Sequence, residues 1–274
     1  MTPSAAEREA RLDGLLAQMG SVVVAFSGGV DSSYLAARAH RVLGPRSLAV
    51  TADSESLAEA QRAMAARVAR EAGLRHLVVK TGEVADPLYA RNAPDRCYQC
   101  KSELYRHLVP LAAAHGHAQV LDGVNADDLS DFRPGRRAAT EAGVRSPLAE
   151  VGMTKDDVRA RSRAMGLPTW DLPASPCLSS RVPYGTAVTP AVLRTIGRAE
   201  EAVRARGFRE FRVRHLGLAA RIEIAPAEMG RVADGAARAE LEDAVRAAGY
   251  ADAVVDPEGY RRGRLNEDLP LPRP

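Results

Sequence analysis

Apolar and polar positions along this chain switch repeatedly between a helical and an extended spacing, and the switches mark out a succession of short elements. Ser4-Ala5-Ala6-Glu7 has the spacing of a capping box and starts a helix predicted to end near Gly20. Ser21–Phe26 is a Val-rich run suited to a buried strand, which breaks into Gly28-Gly29 and then into helical Tyr34–Ala37. Further strands are predicted near 47–53, 76–81, 118–123 and 144–148, with helices near 56–72, 98–115 and 154–166 between them. Such alternation implies an α/β fold, a doubly wound parallel sheet covered by helices on both faces. Pro168, Pro173, Pro176, Pro183 and Pro190 then punctuate a stretch that can hold neither a long helix nor a central strand. Beyond it, Thr189-Pro190 caps a helix to about Gly207. Phe208–His215, Leu218–Ala225 and Ala251–Val255 read as strands, and 236–248 as a helix. The expected organisation is a nucleotide-binding domain over 1–170, a cysteine-bearing loop over 171–188 and a smaller α+β domain over 189–274, with a Pro-rich tail at Leu269–Pro274.

Composition narrows the classes. In 274 residues, 38 basic side chains nearly balance 35 acidic ones, so no general field marks a nucleic-acid or membrane binder. No apolar run approaches the roughly 18 residues that span a bilayer. The charged start, with Glu7, Arg8, Glu9, Arg11 and Asp13, excludes a secretory apolar segment. Three cysteines are too few for a disulfide scaffold, which points to a reducing cytoplasm.

The string Ser27-Gly28-Gly29-Val30-Asp31-Ser32-Ser33 lies between a predicted strand and a predicted helix. The glycines let backbone amides turn toward oxyanions, the helix start adds partial positive charge, and the serines add donors. Asp31 is suited to hold magnesium against a pyrophosphate. It is neither a Walker loop nor a dinucleotide fingerprint. The string resembles that of the N-type ATP pyrophosphatases, a superfamily with the adenine nucleotide alpha hydrolase-like fold. That resemblance implies ATP cleavage between the α and β phosphates, with adenosine resting against Thr51 and Asp53 at the end of the second strand. Ordinary loop capping is the other reading of those two residues.

Cys97 and Cys100 form a C-x-x-C, and Cys177 stands alone in Pro176-Cys177-Leu178-Ser179-Ser180-Arg181. Three thiolates can hold three irons of a [4Fe-4S] cluster and leave the fourth open for sulfide. Zinc is less natural, because no histidine spacing offers a fourth ligand; two small core residues at a helix start are the plain alternative. The acidic run Asp122–Gly135, with Gly123 and Asp128, follows the fourth strand, where ligands of parallel sheets bind. It suits a metal or a ribose, or else it is a solvated turn.

Together the glycine loop, Asp122–Gly135, Ser146-Pro147-Leu148, Thr154-Lys155-Asp156-Asp157-Val158-Arg159 and Pro176–Arg181 resemble the LarE family, sulfurtransferases of nickel-pincer cofactor biosynthesis, over nearly the whole chain. The resemblance implies adenylation of a carboxylate of pyridinium-3,5-biscarboxylic acid mononucleotide and its conversion to a thiocarboxylate. Some members sacrifice a cysteine in the position of Cys177; others carry three cysteines and a [4Fe-4S] cluster, and Cys97 and Cys100 align this chain with the second kind. Asp31 and Cys177, with Ser180 and Arg181, would be catalytic, a sulfide or other sulfur donor the co-reactant, and a homo-oligomer the assembly. Alternation in Phe211–His215 and Ala220–Ile224 puts Arg212, Arg214, Arg221 and Glu223 on one polar sheet face. With Ser180, Arg181 and Glu200, that face would grip the substrate phosphate; a solvated face with cross-strand ion pairs is the competing reading. tRNA thiolation, amidation and a non-catalytic nucleotide sensor are the rival functions. They call respectively for a basic RNA surface, for no cysteines, and for no intact Asp31 and Cys177.

Overall fold

The computed structural model describes residues 3–129, 134–261 and 263–264. Ser130, Asp131, Phe132 and Arg133 of the acidic run, and the tail from Leu269, lie outside the described residues. The chain divides into two compact units. One holds Met1–Glu83 and Asp95–Ser175, the other Val84–Pro94 and Pro176–Pro274. The proline-punctuated segment is thereby itself divided after Ser175.

In the first unit the helices are α1 (Ala5–Met19), α2 (Val30–Leu43) and α3 (Glu59–Glu71), and the strands β1 (Val22–Ala25), β2 (Ser47–Asp53) and β3 (His76–Lys80). After a short excursion carrying α4 (Pro87–Ala90), the chain returns through α5 (Arg96–Ala114), β4 (Gln119–Leu121), α6 (Gly135–Glu141), α7 (Pro147–Glu150) and α8 (Lys155–Ala164). The four strands are parallel in the order β3-β2-β1-β4. The fold is the expected α/β class. Val22 and Val24 of β1 pack with Leu12, Leu16 and Met19 of α1, with α2, and with Ala65 and Val68 of α3. Val23 faces the other way, onto Tyr105, Leu108 and Ala112 of α5 and Ala138 of α6. Each valine thus feeds one of two cores, which is why the run reads as uninterrupted apolar residues. The Ser4 capping box starts α1, and Gly20 closes it. The strand expected near 144–148 is corrected: it shrinks to a single bridge between Leu121 and Arg145, because Ser146-Pro147 turns the chain into α7. Helices α6 and α7 were not anticipated, since neither is long enough to show a period.

The second unit contains α4, α9 (Pro190–Ala205), β5 (Phe211–Leu216), β6 (Ala219–Ile224), α10 (Gly235–Ala247) and β7 (Asp252–Val255). Its sheet, ordered β5-β6-β7, is antiparallel between the first pair and parallel between the second. Phe211, Val213, Ile222 and Ile224 bury one sheet face against Ala199 and Val203 of α9 and Leu241 and Val245 of α10. No helix among the described residues is long and apolar enough to cross a membrane.

Candidate active site

The first unit places a cavity of about 330 Å³ at the carboxyl ends of β1, β2 and β4, with Ser27, Gly29, Asp31, Ser32, Gly123 and Asp128 in its wall. Its floor begins where β1 gives way to α2. The N-cap of α2 is Gly29, with no side-chain cap bond, so the helix start presents its amides outward. Within the loop, the Ser27 amide donates to Ser32 Oγ at 3.2 Å, the Ser32 hydroxyl reaches the Gly29 carbonyl at 3.3 Å, and the Ser33 amide donates to the same carbonyl at 2.9 Å. Two glycines are demanded by space. Gly28 has φ +73°, and a Cβ there would stand 2.7 Å from the Ala65 amide nitrogen. At Gly123 a Cβ would lie 2.9 Å from the Ser32 amide nitrogen, so the β4 loop lies directly against the α2 start.

Asp31 stands in the first turn of α2, where its charge suits the helix dipole. Asn125 donates to one carboxylate oxygen at 3.1 Å, and Lys155 forms an ion pair with the other. The Lys155 amide in turn donates to Asp127 at 2.8 Å. Asp128 accepts from the Asn125 amide at 3.2 Å, which closes a turn that holds the acidic run. Asp122 is buried and accepts from Ser146 at 2.7 Å and from Tyr105 at 3.1 Å. Burial pushes the Tyr105 phenol up to about 12, so it remains a donor. Lys101 and Arg136 also line the cavity, although no sequence motif gave them a role. The Tyr105 oxygen, and then Asp122 and Cys100, hold the Lys101 ammonium charged well beyond its ordinary range. A lysine directly after Cys100, and an arginine directly after Gly135, were the signals available.

Other predicted residues sit elsewhere. Ser33 is fully buried in the α2 core-facing row and does not line the cavity. Thr51 and Asp53 also face away from it. The alternation of β2 sends Val50 and Ala52 to the cavity instead. The Thr51 hydroxyl donates to the Phe26 carbonyl at 2.8 Å, tying β2 to the end of β1. Asp53 is bracketed by Arg62, at 2.8 Å, and Lys80. Its burial would raise the pKa, but the Lys80 and Arg62 hydrogen bonds and charges hold it below the usual carboxylate range.

In the second unit, Cys177 is the half-buried N-cap residue of a 3-10 turn, Leu178–Arg181. Arg181 is 1% exposed and Glu200 3%, and they pair through two bonds of 2.7 and 2.9 Å. Arg181 also donates to the Pro176 and Cys177 carbonyls and to Ser180 Oγ, at 2.7, 3.2 and 2.8 Å. Its guanidinium therefore shapes the backbone around the thiol while Glu200 balances its charge. Glu200 also accepts from the Val213 amide at the free edge of β5, at 3.2 Å. The sheet register sets Arg212 opposite Glu223 and Arg214 opposite Arg221, so the expected polar face exists. It is not a solvated face: Arg212, Arg214 and Glu223 are buried. Arg214 bonds Glu223 at 2.8 Å and the Ser180 carbonyl at 2.8 Å, so the cysteine turn caps that face. Arg212 lies over the Tyr260 ring at 4.6 Å. Burial and then the neighbouring Arg181 charge depress its pKa below the ordinary value.

The metal question divides. Asp31 and Asp128 in one cavity beside open amides are the hard oxygen donors that magnesium prefers, so the residues fit that ion. For a [4Fe-4S] cluster the fit is incomplete. Cys97 and Cys100 lie one turn apart at the start of α5, and neither they nor Cys177 is in a disulfide. Among the described residues no group of three His, Cys, Asp or Glu side chains is gathered for a metal.

The asparagine synthase family pattern matches residues 14–169. Over 264 residues, 95% of this chain and 98% of the relative, the sequence is 44% identical to an uncharacterized protein of Synechocystis. It is 36% identical over 265 residues to the pyridinium-3,5-bisthiocarboxylic acid mononucleotide synthase of Lactiplantibacillus plantarum, covering 96% of this chain and 95% of that one. One subunit of the glutamine-hydrolysing GMP synthase of Archaeoglobus fulgidus is 28% identical over 160 residues, 54% of this chain and 52% of the relative.

Proposed function

Because this chain belongs to the LarE family and carries an asparagine synthase-type ATP domain, we propose that it adenylates a carboxylate of a pyridinium dicarboxylate mononucleotide and replaces the activated oxygen with sulfur. The observation that carries the reading is the cavity built on the uncapped α2 start, with Lys101 and Arg136 as cations and Asp31 and Asp128 as carboxylates. The α2 amides hold the pyrophosphate, and Lys101 and Arg136 offset its charge. Magnesium, when bound, is held by Asp31 and Asp128 and screens the phosphates during attack. The substrate carboxylate attacks the α-phosphorus, giving the acyl-adenylate and releasing pyrophosphate. Most of the acceleration is positioning, because the protein supplies no covalent partner in this step.

Sulfur then displaces AMP from the activated carbonyl. The nucleophile is the Cys177 thiolate, which forms a thioester; removal of a proton from its α-carbon then expels the thiocarboxylate and leaves dehydroalanine. A second source would be sulfide supplied by a [4Fe-4S] cluster, which Cys97 and Cys100, neither in a disulfide, would help to hold. The buried arginines around Ser180, Arg212 above all, grip the substrate phosphate. A cytoplasmic homo-oligomer is part of the same proposal.

The test is to mix protein purified without oxygen with ATP, magnesium and the dicarboxylate mononucleotide. Phosphorus NMR follows AMP and pyrophosphate, and mass spectrometry follows the exchange of oxygen for sulfur. Absence of both nucleotide products removes the reading. Iron and sulfide content, compared with a Cys97→Ala variant, separates the two sulfur sources: iron lost in the variant supports the cluster, and iron-free protein that loses the Cys177 sulfur once supports sacrifice.

A further inference from the structure

The excursion at Val84–Pro94 leaves the first unit's sequence and folds with the second, where it meets the Cys177 turn through two fully buried side chains. Tyr89 Oη lies 2.5 Å from Ser179 Oγ, in the middle of the turn that Cys177 caps. Asn92 is 0% exposed, and its side-chain amide donates to three carbonyls just downstream: Val182 at 3.3 Å, Pro183 at 2.8 Å and Thr186 at 3.0 Å. The backbone adds two more ties, from the Gly185 amide to the Asn92 carbonyl at 3.1 Å and from the Val188 amide to the Ala90 carbonyl at 2.8 Å. Asn92 also holds a left-handed backbone, with φ 55°, among the described residues alone in this respect outside glycine. A residue kept in that conformation with its amide spent on three carbonyls serves a local geometry that no regular element requires.

We propose that Tyr89 and Asn92 are positioning residues for the sulfur step: they clamp the 177–188 segment independently of the Arg181–Glu200 pair and so fix the direction of the Cys177 thiol. The proposal rests on the reading of Cys177 as the sulfur-bearing residue. Arg181 holds the end of the 3-10 turn through Glu200, Ser179 is held at its middle by Tyr89, and the residues after it hang from Asn92. With one anchor the turn can swing; with three it has one orientation. The clamp bonds given above all lie within the second unit, and the glycine loop belongs to the first, so ATP cleavage is expected to hold.

The test uses the full chain as Tyr89→Phe, Ser179→Ala, the double variant, and Asn92→Gly, the last keeping the left-handed backbone free of strain while removing the amide. Alkylation of Cys177 by iodoacetamide, read by peptide mass, should speed up by about tenfold in Tyr89→Phe and in Ser179→Ala, the scale of one lost buried hydrogen bond, and by at least as much in Asn92→Gly, which removes the amide bonded to three carbonyls. The double variant should add nothing beyond Tyr89→Phe, because both remove one bond. In turnover, thiocarboxylate formation should fall while the KM for ATP and pyrophosphate release hold. Wild-type labelling rates in all variants overturn the proposal, as does a parallel fall in pyrophosphate release and melting temperature, which would make the contacts merely structural. If the wild type makes no thiocarboxylate, the functional reading fails, and the alkylation series still decides the clamp.

Discussion

On the proposed reading, the two units would hold an anion by opposite means. In the first, the site is backbone: the amides at the start of α2 are left open, and Gly28 and Gly123 are there because no side chain fits. In the second, the site is side chain: Arg181, Arg212 and Arg214 are buried, and Glu200 and Glu223 balance two of them. A backbone site costs nothing to keep when empty, since helix dipoles and amides are fixed by the fold. Taking the partner away from a buried, paired arginine leaves an uncompensated charge out of water, which is strongly destabilising. The lesson is that the first site should fail in function before stability, and the second in stability before function.

The largest test of that contrast is Glu200→Ala. It strands the Arg181 guanidinium and should cost about 3–5 kcal/mol. Chemical unfolding, with hydrogen exchange by peptide, should show the loss spread over residues 176–264, while α2 keeps its protection. Equal loss in both units would break the contrast.

Next is Gly28→Ala, whose left-handed strain alone is about 1–2 kcal/mol before its Cβ meets Ala65. Pyrophosphate release should drop more than tenfold in protein still folded at the assay temperature, while the backbone clash at Ala65 lowers the melting temperature as well. Normal release would mean that the loop amides are not the phosphate site.

A third test uses acid. Burial depresses the His215 pKa below its ordinary value of 6.5, so the unfolded chain takes up a proton that the folded unit refuses. Stability from this residue is complete above about pH 6.5 and is lost as the pH falls through the folded value. His215→Leu should flatten that limb of a stability curve. An unchanged slope would assign the limb to other groups, such as His76, which burial depresses in the same direction in the first unit.

The smallest expected effect sharpens the first site. Tyr105→Phe removes the 3.1 Å bond to Asp122, worth about 1 kcal/mol. Thermal unfolding should register that loss, with ATP affinity changed little, since Asp122 keeps Ser146 and Lys101 keeps the nearby Asp122 charge.

The sequence alone determined the parallel α/β order, most helix and strand positions, and the glycine loop. The physical reason is that a strand buried on both faces, a capping box and a glycine turn each write their requirement into adjacent residues. It also determined that Arg212, Arg214, Arg221 and Glu223 share a face, since strand alternation needs no tertiary knowledge. Tertiary structure decided everything that depends on which partner arrives from far along the chain. It covered that face and paired Arg181 with Glu200, sent Thr51 and Asp53 away from the cavity, and brought in Lys101, Arg136 and Lys155. It turned a predicted fifth strand into one bridge, and it folded Val84–Pro94 with residues ninety positions away, as Tyr89 and Ser179 show. Long-range pairing of single polar side chains leaves no period in a sequence, so neither the buried charges nor the clamp on Cys177 could be read there.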